Sequence, residues 1–147
     1  MSYLFAYDNK DKEVNITISF EKLEICENFR KIDNDKIYSE KDCIVNISLS
    51  VQFRTINPEI NDNQAQIYAI INRNNEKIVI ESSIATSNII NIQTISISFI
   101  TKLNKDDYIT FNTVSDNQNI KIGSGVFSFD GLKIEKPVTV SVSINTI

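Results

Sequence analysis

Apolar and polar side chains take turns along several separate stretches of this chain. In the segment from Ile95 to Leu103, the residues Ile95, Ile97, Phe99 and Leu103 fall on one side of an extended backbone. Ser96, Ser98 and Lys102 fall on the other, which is the period of a half-buried β-strand. Asn104-Lys105-Asp106-Asp107 then bends readily and can hydrogen-bond its own backbone. Tyr108-Ile109-Thr110-Phe111 resumes with aromatic and β-branched residues, so the spacing predicts a β-hairpin over 95–111. The same alternation recurs in Val14, Ile16, Ile18 and Phe20, in Val45, Ile47, Leu49, Val51 and Phe53, and in Val138, Val140, Val142 and Ile144. Ala65 to Ile71 is apolar on both faces, as an interior or interface strand would be. Asn72-Arg73-Asn74-Asn75 follows as a hairpin turn, because asparagine tolerates positive φ.

Other stretches speak less clearly. Tyr3 to Tyr7 and Ile37-Tyr38 read as short strands, and Val126 to Ile134 as a strand around Gly131. Phe29 to Lys36 is polar and turn-rich, Ser82 to Asn88 is irregular, and 21–27 fits either a strand or a single helical turn. No longer segment carries helical period with caps. Roughly nine to eleven short strands at this spacing predict an all-β sandwich or barrel. The predicted core comprises Val14, Ile16, Ile18, Ile47, Leu49, Val51, Ile97, Phe99, Ile109, Phe111, Phe127 and Phe129.

Composition narrows the function more than the fold. The 147 residues suit one domain (1–147), 41% hydrophobic and 23% charged, which is the balance of a folded rather than a disordered chain. A net charge of −4 leaves no general basic field for nucleic acid. No apolar run approaches the roughly 18 residues that cross a bilayer, and the first residues lack a cationic head followed by an apolar segment. Synthesis in a reducing cytosol is therefore expected, with Cys26 and Cys43 as half-buried thiols; a pairing between them is the alternative. The apolar residues are overwhelmingly isoleucine and the polar ones lean to Asn, Ser and Lys, a bias that suits strands and loops and also an AT-rich genome.

There is no histidine, so Ser-His-Asp or Cys-His catalysis cannot be assembled, and the histidine metal site of cupins is equally excluded. Two cysteines alone cannot make a four-ligand zinc site. Gly123-Ser124-Gly125 is too short for a phosphate loop. The carboxylate pairs Asp33/Asp35 and Asp106/Asp107 lie in turns where acids commonly face water. Asp33-Asn34-Asp35 and Asn61-Asp62-Asn63 offer hard oxygen ligands for calcium, with Asx-turn chemistry as the plainer reading. No catalytic group, cofactor or metal is expected.

Four segments resemble the C1q/TNF-like jelly roll. These are Ile37 to Val51, like the family's entry strand with its Gly-x-Tyr corner; Ile67 to Asn75, like a strand ending in an Asn-Gly-type turn; Leu103 to Phe111, like the leucine, Gly-Asp and following strand; and Phe129 to Ile134, like the closing Phe-x-Gly strand. Asp42 or Cys43 stands where the corner glycine would be, and Asp106 replaces the glycine of Gly-Asp. The resemblance implies a single jelly-roll β-sandwich of about ten short antiparallel strands, with strand-like extensions at 1–13 and 136–147. It also implies a homotrimer, with Tyr68 and Ile70 as candidate interface residues. Val138, Val140, Val142 and Ile144 are candidates on other grounds: their strand lies beyond the resembled domain and carries no charge, so it is expected to pair either beside the N-terminal strand of its own subunit or with a neighbour. Burial of Tyr68 and Ile70 under another strand of the same subunit is the alternative.

Two functional readings follow. The first is a non-enzymatic structural protein of a virus particle (minor capsid, decoration or fibre-head component), located in the virion after synthesis in the host cytoplasm and partnered by other capsid proteins. The second is a recognition module at a cell or particle surface, binding a glycan or receptor through loops such as Asn57 to Asn63 or Ser115 to Asn119. Neither calls for nucleic acid or membrane insertion.

Overall fold

The computed structural model describes residues 2–123 and 138–147, and among these it holds strands and no helix. In chain order they are β1 (Tyr3–Asp8), β2 (Lys12–Glu13), β3 (Lys22–Glu27), β4 (Phe29–Ile32), β5 (Lys36–Ser39) and β6 (Cys43–Thr55), then β7 (Gln64–Arg73), β8 (Glu76–Asn88), β9 (Ile92–Leu103), β10 (Tyr108–Val114), β11 (Ile120–Ile122) and β12 (Val140–Thr146). Two antiparallel sheets result. In the first, β6 pairs with β9 on one edge and with β12 and β11 on the other; β12 pairs on to β1, and β1 to β3. The second runs β4-β5-β10-β7-β8.

The inward residues of both sheets form one core. Val45, Ile47, Leu49, Val51 and Phe53 of β6 meet Ile67, Ala69, Ile109 and Phe111 of the second sheet, all fully buried. Phe20 and Phe111 meet edge to face with ring centroids 5.9 Å apart, a favoured aromatic geometry. The predicted core residues Ile18, Ile47, Leu49, Val51, Phe99, Ile109 and Phe111 are buried, while Val14, Ile16 and Ile97 pack against the core half-exposed. Phe127, Phe129, the 126–134 strand and the Phe129 to Ile134 likeness lie outside the described residues.

Several expectations change. The 95–111 hairpin does not form: β9 pairs with β6 in the first sheet, and β10 pairs with β5 and β7 in the second. The Asn104–Asp107 turn carries the chain between sheets, because Phe99 and Phe111 bury themselves from opposite sides of the same core. True hairpins are β7–β8, turned by Asn74 and Asn75 at φ 51° and 65°, and β4–β5, turned by Asp33 and Asn34 at 55° and 60°. Val14 to Phe20 is extended but is not a regular strand. Asn15 takes φ 63°, and only short pairing with β10 follows, through Ile18 N–H to Phe111 O at 2.7 Å and Thr113 N–H to Ile16 O at 3.0 Å.

Phe29 to Ile32, within a stretch read as polar and turn-rich, and Ser82 to Asn88, read as irregular, are strand. Where β7 and β8 slip register between Ile67 and Ala69, the Ser83 hydroxyl accepts from Ala69 N–H at 2.8 Å and donates to Ile80 O at 2.5 Å. That side chain supplies the bonds the bulge removes from the ladder.

The extension reading of both chain ends also gives way. β12 lies between β6 and β1, with its pairings running Val140↔Val51 to Thr146↔Val45 on one edge and Val140↔Asp8 to Asn145↔Tyr3 on the other. β12 is therefore an inner strand of the first sheet, paired beside the N-terminal strand of its own subunit, and neither β1 nor β12 is appended to a domain complete without it.

Two stability outcomes follow. Removal of residues 138–147 takes out a strand bonded on both edges and three fully buried side chains. The truncated chain should lose its β-sheet circular dichroism and dispersed amide spectrum. Phe99→Ala, at a position 5% exposed, should cost roughly 3 to 5 kcal/mol in urea unfolding.

Candidate functional site

The first sheet turns an unusual surface outward. Register places Phe5, Ser143, Ser48 and Ser98 in one row across four strands, and Tyr7, Ser141, Ser50 and Ser96 in the next. Neighbouring hydroxyls bond across the strands, Ser48 to Ser98 at 3.2 Å and Ser50 to Ser96 at 2.9 Å, and Ser98 also donates to Asn46 Oδ1 at 3.2 Å. The serines of β6 and β9 are thus engaged with one another, among the described residues the Ser141 and Ser143 hydroxyls of β12 are not, and with all these side chains short the strands present a flat centre. Tyr3, Phe5 and Tyr7 stand along one side of it, half-buried, with the Phe5 and Tyr7 rings 5.9 Å apart. Ile25, paired opposite Phe5, is 53% exposed, and Ile44 and Ile100 are 54% and 62% exposed at the margin.

The sequence-predicted interface residues do not gather there. Tyr68 and Ile70 project from β7 on the outer face of the second sheet, half-buried, alternating with inward Ala65, Ile67, Ala69 and Ile71. Among the described residues no further strand of the subunit covers them. Val140, Val142 and Ile144 are fully buried in the sandwich core and cannot serve as a subunit surface; Val138 is exposed where the chain enters β12. The reason is mechanical, because a strand flanked on both edges offers partners only its faces, and this face is filled. The aromatic column Tyr3-Phe5-Tyr7 went unremarked, although its signal was present: like Ala65 to Ile71, the stretch Tyr3 to Tyr7 is apolar at both parities.

The titratable groups have structural partners. Asp8 is fully buried and meets Lys12 Nζ at 2.7 Å, which also donates to Ser19 Oγ at 2.7 Å. Burial alone would push the Asp8 carboxyl up. The hydrogen bond and charge of Lys12, with the N–H groups of Asn9 and Lys10, outweigh it and hold the carboxyl below its ordinary value. Asp107, expected to face water, is 3% exposed; it takes two nitrogens of Arg73 at 2.8 to 3.2 Å and the N–H of Asn104 at 2.8 Å. The thiols Cys26 and Cys43 are unpaired, and burial raises the Cys26 pKa. Asp33 pairs with Lys36 at 3.6 Å, and no cluster of three or more acidic or thiol side chains occurs among the described residues.

The loops expected to recognise a ligand are locked together instead. Asn63 Oδ1 accepts from the amides of Asn117 and Asn119 at 3.2 and 2.9 Å, its own amide donates to Ile60 O and Ile89 O, and Asn119 joins Asn57 at both ends of its side chain. This asparagine network ties 57–63 to 115–119 and leaves few free groups at that end of the sandwich.

Strand order β9-β6-β12-β1-β3 facing β4-β5-β10-β7-β8 makes this a jelly-roll sandwich of the TNF-like kind. The crystal structure of murine APRIL, a TNF-family protein, superposes with a TM-score of 0.65 at 8% sequence identity, covering 97% of each chain. At that identity the likeness is one of fold. By sequence, no family profile and no curated protein matches. No helix among the described residues is long and apolar enough to cross a membrane.

The Asp8–Lys12 pair yields a signed expectation. A carboxylate whose folded pKa lies below its unfolded value of roughly 3.9 stabilises the fold above that value, and loses the contribution as pH falls through the folded one. Asp8→Asn should therefore flatten part of the fall in thermal midpoint on acidification below about pH 4. Lys12→Met, which strands a buried charge, should cost about 3 to 5 kcal/mol at neutral pH.

Proposed function

We propose that this chain is a non-enzymatic assembly module that works as a homotrimer, packing the outer face of its first sheet against neighbouring subunits. The observation that carries the reading is that face: two serine rows, hydrogen-bonded between β6 and β9, beside Tyr3, Phe5 and Tyr7 and rimmed by exposed Ile25, Ile44 and Ile100. Short side chains let another surface approach closely, and aromatic residues with an apolar rim supply the area that drives association. Head-to-tail contacts of this kind close into a ring when the rotation per subunit allows. The TNF-like fold supports the same stoichiometry.

The finer part of the proposal places the module in a virus particle, as a minor capsid, decoration or fibre-head component. It draws on the absence of histidine, the isoleucine- and asparagine-rich composition and the even distribution of charge. Presence at subunit stoichiometry in purified particles supports that setting; trace amounts remove it. A second reading, surface recognition of a glycan or receptor, is favoured by unbonded polar groups on the opposite sheet.

Light scattering coupled to chromatography tests the assembly. The 16.7 kDa chain should run at three times its mass. Phe5→Glu should release folded monomers, because a charge is introduced into the association face without disturbing the core. Tyr68→Glu should leave the trimer intact. The reverse pattern would move the interface to the second sheet, and a wild-type monomer would end the proposal.

A further inference from the structure

A single row crosses all five strands of the second sheet on its outer face: Arg30, Tyr38, Tyr108, Asn72 and Lys77 stand in direct register. The Tyr38 and Tyr108 rings lie 4.9 Å apart, with Arg30 over the first at 5.2 Å and Lys36 near the second at 5.9 Å. Between Tyr108 and the β7–β8 turn a cleft of about 500 Å³ opens, walled by Asn74, Asn75 and Lys77 and bordered by Asp106. The turn that makes this wall depends on Asn74 and Asn75 at positive φ, so the wall is set by the backbone.

The polar groups here differ from those at the other end of the sandwich. There, the asparagine amides are used up in tying loops together. Around the cleft, the side chains of Asn72, Asn74, Asn75, Lys77 and Asp106, and the hydroxyls of both tyrosines, make no hydrogen bond to the described protein. Asn72 is the telling case, since the residue is only 9% exposed and what it exposes borders the cleft, with its side-chain amide unpaired within the described protein. An amide open to the cleft can donate to and accept from a ligand there.

We infer that this cleft is a saccharide-binding site. A pyranose ring presents an apolar C–H face and a rim of hydroxyls. The first suits the face of an aromatic ring. The second suits asparagine amides, which donate and accept as hydroxyls do. The volume is that of a small-ligand site, and five polar or charged side chains surround the two tyrosines. An anion is a poorer fit: Arg30 and Lys36 are opposed by Glu40 and Asp33 at 3.9 and 3.6 Å, and the lone cation of the wall, Lys77, shares the cleft with Asp106. The inference does not rest on the assembly reading, because the cleft is on the other sheet and is complete within one subunit.

The test titrates the full chain with methyl glycosides of glucose, galactose, mannose and N-acetylglucosamine while following amide and tyrosine resonances, and applies it in parallel to a glycan array. At least one saccharide should bind, shifting resonances of Tyr108, Asn72 and the 74–77 turn. Tyr108→Ala and Lys77→Ala should each weaken binding by about tenfold or more with the native spectrum kept. Binding of an isolated glycoside marks a single-residue site, and binding only of longer array glycans marks a chain site; both uphold the saccharide class. Should Tyr108→Ala unfold, Lys77→Ala decides, because its side chain is exposed at the start of β8. No binding by any saccharide overturns the inference. So does binding unchanged by Lys77→Ala, or capture of sulfated glycans alone that vanishes with added salt.

Discussion

The arrangement depends on one strand bonded along both edges. β12 takes its partners from β6 on one side and β1 on the other, so the two ends of the chain together make the middle of the first sheet. Small bonds fasten the corners. Ser2 N–H reaches Thr146 Oγ1 at 2.9 Å and Thr146 N–H reaches Ser2 O at 2.9 Å; at the far end Thr139 N–H reaches Asp8 O at 2.9 Å. A central strand buries its backbone groups against neighbours that must also be strands. β1 and β6 are thus held in one sheet by the strand between them. This accounts for a segment free of charge from Val138 to Ile147: a strand with no open edge needs no charged residue to prevent pairing with another chain.

Buried charge is handled in the same economical way. Asp8 with Lys12, and Asp107 with Arg73, sit where strands end and the chain changes direction. Each carboxylate also accepts backbone N–H groups of its turn, which satisfies lone pairs that a single cation would leave open. These acids therefore hold corners in place. Their cations are in turn committed to the fold, Lys12 also bonding Ser19 and Arg73 also reaching the Lys102 carbonyl.

The two outer faces differ in kind. The serine-lined face of the first sheet has short side chains, bonded between β6 and β9, and its aromatic residues to one side, which suits a close protein contact. The second sheet carries a tyrosine row beside amides with no partner in the described protein, which suits a small polar ligand. The proposed assembly face and the proposed saccharide cleft lie on opposite sheets, so one does not block the other.

Where alternation is strict, residue pattern alone determined that a stretch is extended and which side faces inward, because a period of two is a local property of the backbone; Phe29 to Ile32 and Ser82 to Asn88 lack it and became strands through pairing. Val45 to Phe53 and Ile95 to Leu103 behave as their pattern requires. The turns at Asn74-Asn75 were equally legible, since positive φ is a demand on residue type. Pairing was not local. Whether Leu103 and Tyr108 flank a hairpin or a crossing between sheets depends on which distant strands compete for their edges, and β6 and β7 won. Val138 to Ile144 had the pattern of a strand, but only the gap between β1 and β6 decided that it would be central and buried rather than an edge offered to a neighbour. The candidate sites were hidden for the same reason: Ser48, Ser98, Ser143 and Phe5 are scattered in sequence, as are Arg30, Tyr38, Tyr108, Asn72 and Lys77, and register across separate strands is what sets each group in a row.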